Sequence, residues 1–320
     1  MTLRRFVFGL AALIASAPSL AQDTFPTKPI RVIVGYSAGG GNDIIARLIA
    51  GRMSEGLGQT VVIENKPGAQ SIIAAEFVAK APADGYTVLM GPSGPMTINP
   101  ATYAKLPYNA LRDFTPLSII GQFPLILGVS ARSPIKTMQE LIAFAKANPN
   151  AINYASSAAP FQMASELFNQ STGTKFAHIP YKGSGDSVKA VIANEVTMTI
   201  SDPPPITGPI KSGQVRALAV TAAKRHPSWP DVPTMAEAGV PGVEISIWTG
   251  LLVPAATPAP IVKRLQDEIA RVVRLPDVKE RLEAMGVDPV GNTSDEYRRV
   301  IAADIERWTA VAKAANIKAD

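Results

Sequence analysis

Along this chain, compact β-branched runs alternate with stretches whose apolar residues recur at helical spacing. Ile30 to Val34 is β-branched and predicts a buried strand. Gly39, Gly40 and Gly41 follow, then the helix starters Asn42 and Asp43, then Ile44, Ile45, Leu48 and Ile49 at helical spacing. The unit recurs as a strand over 60–64, a turn at Asn65-Lys66-Pro67-Gly68, a helix over 71–80 and a strand over 86–90. Strands at 119–120 and 125–130 lead away. A second series has a capping box, Thr137 with Glu140, opening a helix to 147, then a strand at 152–154 and a helix over 161–170. It continues with a strand at 177–179, a helix over 186–194, a strand over 196–200 that ends in Ser201, Asp202 and three prolines, and a strand over 215–221. The last segment reads as a strand at 244–253 and helices over 260–274, 277–285 and 295–314. This order predicts an α/β protein with parallel sheets flanked by helices.

The first residues change the picture of where the chain works. Arg4 and Arg5 precede an apolar core at 6–15, and Ser19-Leu20-Ala21 sets small residues before Gln22. That is the pattern of a secretory signal over 1–21, cleaved before Gln22, and it predicts a periplasmic protein. The chain has no cysteine, which excludes disulfides, thiolate nucleophiles and cysteine-bound metal. Net charge is +5 for all 320 residues; removing two arginines leaves +3, with no dense basic block. Nucleic-acid binding is not expected.

Chemistry is expected where strands end and helices begin. A helix N-terminus presents unpaired N–H groups and the positive end of its dipole, so it suits anions. Sharper motifs fail at Gly39–Gly41. A dinucleotide fingerprint would need glycine at Ile44, and a phosphate loop would need Lys where Gly41 stands. The small-residue turn recurs near Ser156 and near Lys182. Two such lobes facing each other make a cleft able to hold a carboxylate, each charge-assisted hydrogen bond adding roughly 1.5–3 kcal/mol. Enzyme readings are weaker. There are two histidines, His178 and His226, neither at metal-ligand spacing, and Gly91-Pro92-Ser93-Gly94-Pro95 breaks the nucleophile elbow at its last position. No enzyme activity, cofactor or metal is expected. An exported hydrolase and a receptor for a sensor kinase remain the alternatives to a transport receptor.

Several segments resemble one family in order. They include Phe25-Pro26-Thr27-Lys28-Pro29-Ile30, Ala38-Gly39-Gly40-Gly41-Asn42-Asp43, Glu64-Asn65-Lys66-Pro67-Gly68, Asp84-Gly85-Tyr86, Asn153-Tyr154-Ala155-Ser156-Ser157 and Pro180-Tyr181-Lys182-Gly183. The chain resembles the Bug-type solute receptors of tripartite tricarboxylate transporters. That resemblance implies a two-lobe type II periplasmic binding fold, with lobe 1 from 22–124 and 246–320 and lobe 2 from 125–245. It also implies a monomer that holds an organic carboxylate, a di- or tricarboxylate or an aromatic one, between its lobes and delivers it to membrane permease subunits. Its ligand-binding positions fall on Tyr36, Ser37, Ala38, Gly40, Gly41, Asn42 and Asp43, with Ser93, Ser156, Ser157, Lys182, Gly183 and Ser184 in other cleft loops. Asp43 has a second reading as a helix cap, and Lys182 as a solvated turn residue. The chain departs from the family pattern at Pro95-Met96-Thr97, at 158–163, which includes Phe161, and at Ser201-Asp202. If those positions face the cleft, they favour an aromatic or bulky carboxylate; Phe161 as helix core is the alternative.

Overall fold

A computed structural model of the chain describes residues 25–149 and 151–318. The signal segment and its cleavage point lie outside the described residues. Eleven strands are described. They are β1 (Ile30–Val34), β2 (Val61–Asn65), β3 (Thr87–Met90), β4 (Phe114–Pro124), β5 (Ile126–Ser130), β6 (Asn153–Ser156), β7 (Ala177–Pro180), β8 (Met198–Ser201), β9 (Val215–Val220), β10 (Ser246–Pro254) and β11 (Asp288–Pro289). The helices are α1 (Gly41–Leu57), α2 (Ile72–Ala79), α3 (Asn99–Thr102), α4 (Met138–Ala147), α5 (Ala159–Thr172), α6 (Ser184–Ala193), α7 (Pro203–Lys211), α8 (Ala259–Val273), α9 (Pro276–Ala284) and α10 (Ser294–Ala314).

The strands form two sheets, β11-β4-β10-β3-β1-β2 and β7-β6-β8-β5-β9. In the first, β1 is parallel to β2 and β3, while β10 runs antiparallel between β3 and β4. In the second, β6 is parallel to β7 and β8, and β5 is antiparallel to β8 and β9. Each sheet therefore repeats the same plan, three parallel strands extended by an antiparallel strand that arrives from the other lobe. The chain crosses between β4 and β5 with Leu125 between them, and returns to the first sheet at Ser246. Thr221, fully buried, ties the two crossings together. Its hydroxyl accepts from the Leu125 N–H at 2.8 Å and donates to the Ile245 carbonyl at 2.5 Å.

The buried β-branched residues of β1 and all four residues of β3 explain why these strands sit centrally, covered by helices on both faces. Three features depart from the sequence expectation. β4 is far longer than 119–120. The segment after β3 is helical, a π turn over Gly94–Ile98 running into α3. The prolines after Asp202 open α7, because proline lacks only an N–H that a first helical turn leaves unpaired anyway. Thr137 caps α4 by accepting from the Glu140 N–H, but the Glu140 carboxylate takes the Lys136 N–H, so the reciprocal half of the box is displaced by one residue.

Candidate functional site

Between the lobes lies a cavity of ≈ 360 Å³. From the first lobe its wall takes Gly35 and Tyr36 at the end of β1, the 68–71 turn, and Tyr103. From the second it takes Ser156, Ser157 and Ala158 at the end of β6, and His178, Pro180, Tyr181 and Lys182 at the end of β7. Strand ends thus face each other across it, as the sequence pattern implies for α/β lobes. No aspartate or glutamate lines it among the described residues. Ser157 is 7 % exposed and its hydroxyl has no partner. Burial pushes the Tyr36 phenol well above its usual range, so it stays a neutral hydroxyl.

The turn over Ala69, Gln70 and Ser71 has three consecutive positive φ angles, 44°, 50° and 72°. Side chains rarely adopt that conformation, and a left-handed residue costs roughly 1–2 kcal/mol. Its effect is to bring Ser71, fully buried, beneath Gly35; a Cβ on Gly35 would lie 1.8 Å from the Ser71 hydroxyl oxygen. It also presents Gln70, whose Nε2 donates across the lobes to Gln162 Oε1 at 3.1 Å.

Beside the cavity the two lobes interlock. The Ser37 N–H donates to the Lys182 carbonyl at 3.1 Å, and the Ser37 hydroxyl to Asp186 Oδ2 at 2.8 Å. The Gly41 N–H donates to Ser184 Oγ at 3.3 Å. Glycines allow this approach. A Cβ on Gly185 would stand 2.6 Å from the Gly39 carbonyl oxygen, and one on Gly41 would stand 1.8 Å from Asp202 Oδ2. Asp202 is 1 % exposed, and its Oδ1 accepts from the Ser201 hydroxyl at 3.2 Å. Burial raises its carboxyl to about 6, against the lowering effect of the Ser184 and Ser201 hydroxyls. The N-terminus of α1, which the sequence marks as an anion site, is therefore met in this structure by a carboxylate and a hydroxyl of the second lobe.

The sequence-predicted residues divide by place. Tyr36, Ser156, Ser157 and Lys182 line the cavity. Ser37, Gly40, Gly41, Gly183, Ser184, Ser201 and Asp202 make up or adjoin the interlocked loops. Asn42 accepts from the Thr249 hydroxyl at 2.7 Å, and Ala38 is exposed. Asp43 does not cap through the N–H groups of its own helix. Its two oxygens take the Gly39 N–H, Arg47 and Asn65, so it pins the loop ahead of α1. Burial alone would raise the Asp43 carboxyl, but those bonds outweigh it and hold the group below its ordinary value. Ser93 is buried off the cavity wall, its carbonyl bonded to the Thr97 hydroxyl. Phe161 packs into the core as helix interior, with Met163, Ala164 and Phe168 buried around it. Met96 is likewise core, and neither residue lines the cavity. Sequence reasoning missed Gln70, Ser71, Tyr103, His178 and Tyr181. Of these, His178 carries the one local signal, its place on strand β7 four residues before Lys182.

Two sheets of like plan joined by adjacent crossings, with a polar cavity walled by strand ends of both lobes, define a two-lobe binding protein of the periplasmic type. The model of the tripartite tricarboxylate transporter family receptor matches residues 45–317, and the chain belongs to that family. It is similar to Protein BugT of Bordetella pertussis, at 35% identity over 99% of each chain. Among solved structures it is similar to R. palustris Rpa4515 with adipate, at 37% identity and TM-score 0.88, covering 92% of this chain and 99% of that one. It is also similar to MatC of Rhodopseudomonas palustris with bound malate, at 31% identity and TM-score 0.86, covering 90% and 99%. Family membership makes the protein a periplasmic solute receptor that works with a transporter, a binding role and not a catalytic one. The hydrolase and sensor-kinase alternatives are not favoured by these relatives. Among the described residues no helix is long and apolar enough to cross a membrane.

Proposed function

We propose that this receptor captures an organic carboxylate without a cationic group in the 360 Å³ cavity, and closes its lobes over it. The observation that carries this is the wall itself, hydroxyls, tyrosines and one lysine, with no acid among its described residues. A bound ammonium would lose its water there without gaining a counter-charge. Tyr36, Ser156, Ser157 and Lys182 contact the guest. Ser37, Gly40, Gly41, Gly183, Ser184, Ser201 and Asp202 form the closure seam. Asn42 and Asp43 hold the first loop in shape. The preference for a bulky guest rests on Tyr36, Tyr103 and Tyr181 rather than on Phe161. Rpa4515 with adipate and MatC with malate support a dicarboxylate as the first guest to test. The lobes divide at 125 and 245, the signal is cleaved before Gln22, and the mature monomer docks on permease subunits.

The test is a thermal-shift screen with adipate, malate, benzoate and aspartate. Binding to the native state stabilises it by about 2.7 kcal/mol at a hundredfold excess over Kd. A rise with one or more of the first three, and less with aspartate, is expected. No response to any carboxylate, or a response to aspartate alone, would sink the reading.

A further inference from the structure

His178 stands on β7, the edge strand of the second sheet, opposite Tyr154 in the ladder. Its ring stacks on the Tyr154 ring, with centroids 5.0 Å apart and planes 19° from parallel. Its Nε2 lies 2.7 Å from Ser156 Oγ, and the residue forms part of the cavity wall beside the unpartnered hydroxyl of Ser157. Behind it, Tyr154 donates its hydroxyl to Glu166 Oε1 at 2.6 Å. We propose that His178 contacts the guest, and that its imidazole takes up a proton as a carboxylate enters, coupling capture to one proton. This rests on the carboxylate reading of the cavity.

The ring shares its surroundings and its cavity wall with groups from several elements. Tyr154 and Ser156 lie on β6 and Glu166 on α5, with Tyr181 and Lys182 in the turn that follows, and Tyr36, Ser71 and Tyr103 on the other lobe's share of the wall. Among them Glu166 is the one acid and Lys182 the one base. Burial lowers the ring's proton affinity and Glu166 only partly offsets it, so the ring is neutral near pH 7.5. A carboxylate arriving within about 4–6 Å raises that affinity roughly ten- to a thousandfold. The proton leaves a buffer molecule and binds the ring nitrogen that is the acceptor in the neutral tautomer. Both ring nitrogens are then donors, one available to Ser156 and one to the guest. A wall that is nearly free of buried charge thereby gains a cation only when an anion is present.

Calorimetric titration of adipate at pH 7.5 in phosphate and in Tris, whose ionisation enthalpies differ, counts the protons. The expected result is a measurable uptake of protons, up to about one per guest. In His178→Gln the buffer dependence vanishes and binding weakens about tenfold, whereas Asp202→Asn keeps the dependence. Imidazole NMR of the unaltered protein, which has two histidines, should show His178 becoming protonated on adding adipate while His226 does not change. Binding with equal enthalpy in both buffers would overturn the inference and leave the carboxylate reading standing. So would a slope that survives in His178→Gln, one that disappears in Asp202→Asn, or an unmoved His178 resonance at saturation. If adipate, malate and benzoate all fail to bind, the carboxylate reading falls and this inference falls with it.

Discussion

Gly41 and Asp202 show how much of the interlock between the lobes rests on single atoms. An added Cβ on Gly41 would sit 1.8 Å from Asp202 Oδ2 and 2.7 Å from its Cγ. Asp202 is buried and has nowhere to retreat. Gly41→Ala should therefore weaken guest binding at least about tenfold, or roughly 1.4 kcal/mol, with little change in the melting temperature of the guest-free protein. Adding Asp202→Gly should restore much of the affinity; titration of both variants checks it. The carboxyl of Asp202 has its own pH signature. Its value is about 6 where the lobes interlock, against an ordinary 3.8 when solvated. The interlocked state therefore binds the proton more tightly, and the contribution is fully present below 3.8 and lost as pH rises through about 6. Asp202→Asn keeps it at all pH values, so above pH 6 the variant should bind the guest tighter than the parent, by about tenfold or more. Affinities measured from pH 5 to 8 would show it; parallel profiles for the two proteins would count against the seam.

At the scale of elements, Thr221 is where the two crossings meet. Replacing it with valine would strand the buried Leu125 N–H and Ile245 carbonyl. Each stranded group costs about 1–3 kcal/mol, so Thr221→Val should lose about 2–4 kcal/mol in urea unfolding. Most of these elements were legible in the sequence, because β-branched runs and helical spacing encode the face a segment buries. The exceptions share a cause. The helix opened by Pro203, Pro204 and Pro205 has no unambiguous local signature, since prolines mark turns and helix starts alike. The left-handed Ala69-Gln70-Ser71 turn has no local signature, because its strain is compensated by contacts with Gly35 and Gln162 that lie far away in the chain.

For the whole molecule, the proposed seam and the paired crossings at Thr221 lead to the expectation of a body that closes on its guest. Small-angle scattering should show the radius of gyration falling on addition of a binding carboxylate, and Gly41→Val should not contract. Equal radii with and without guest in the parent protein would argue that the lobes do not move. Such a motion would follow from differential affinity, a guest touching both walls only when they approach.

By itself the sequence determined the α/β series, its two similar halves and the turns that carry the site, since each depends on residues adjacent in the chain. Tertiary structure alone decided which of those residues share a wall. It set His178 and Gln70 on the cavity, turned Phe161 into the core, and laid Asp202 against the end of α1. Those placements depend on the angle at which two lobes meet, and that angle is set by contacts between residues some ninety or more positions apart, which no local pattern records.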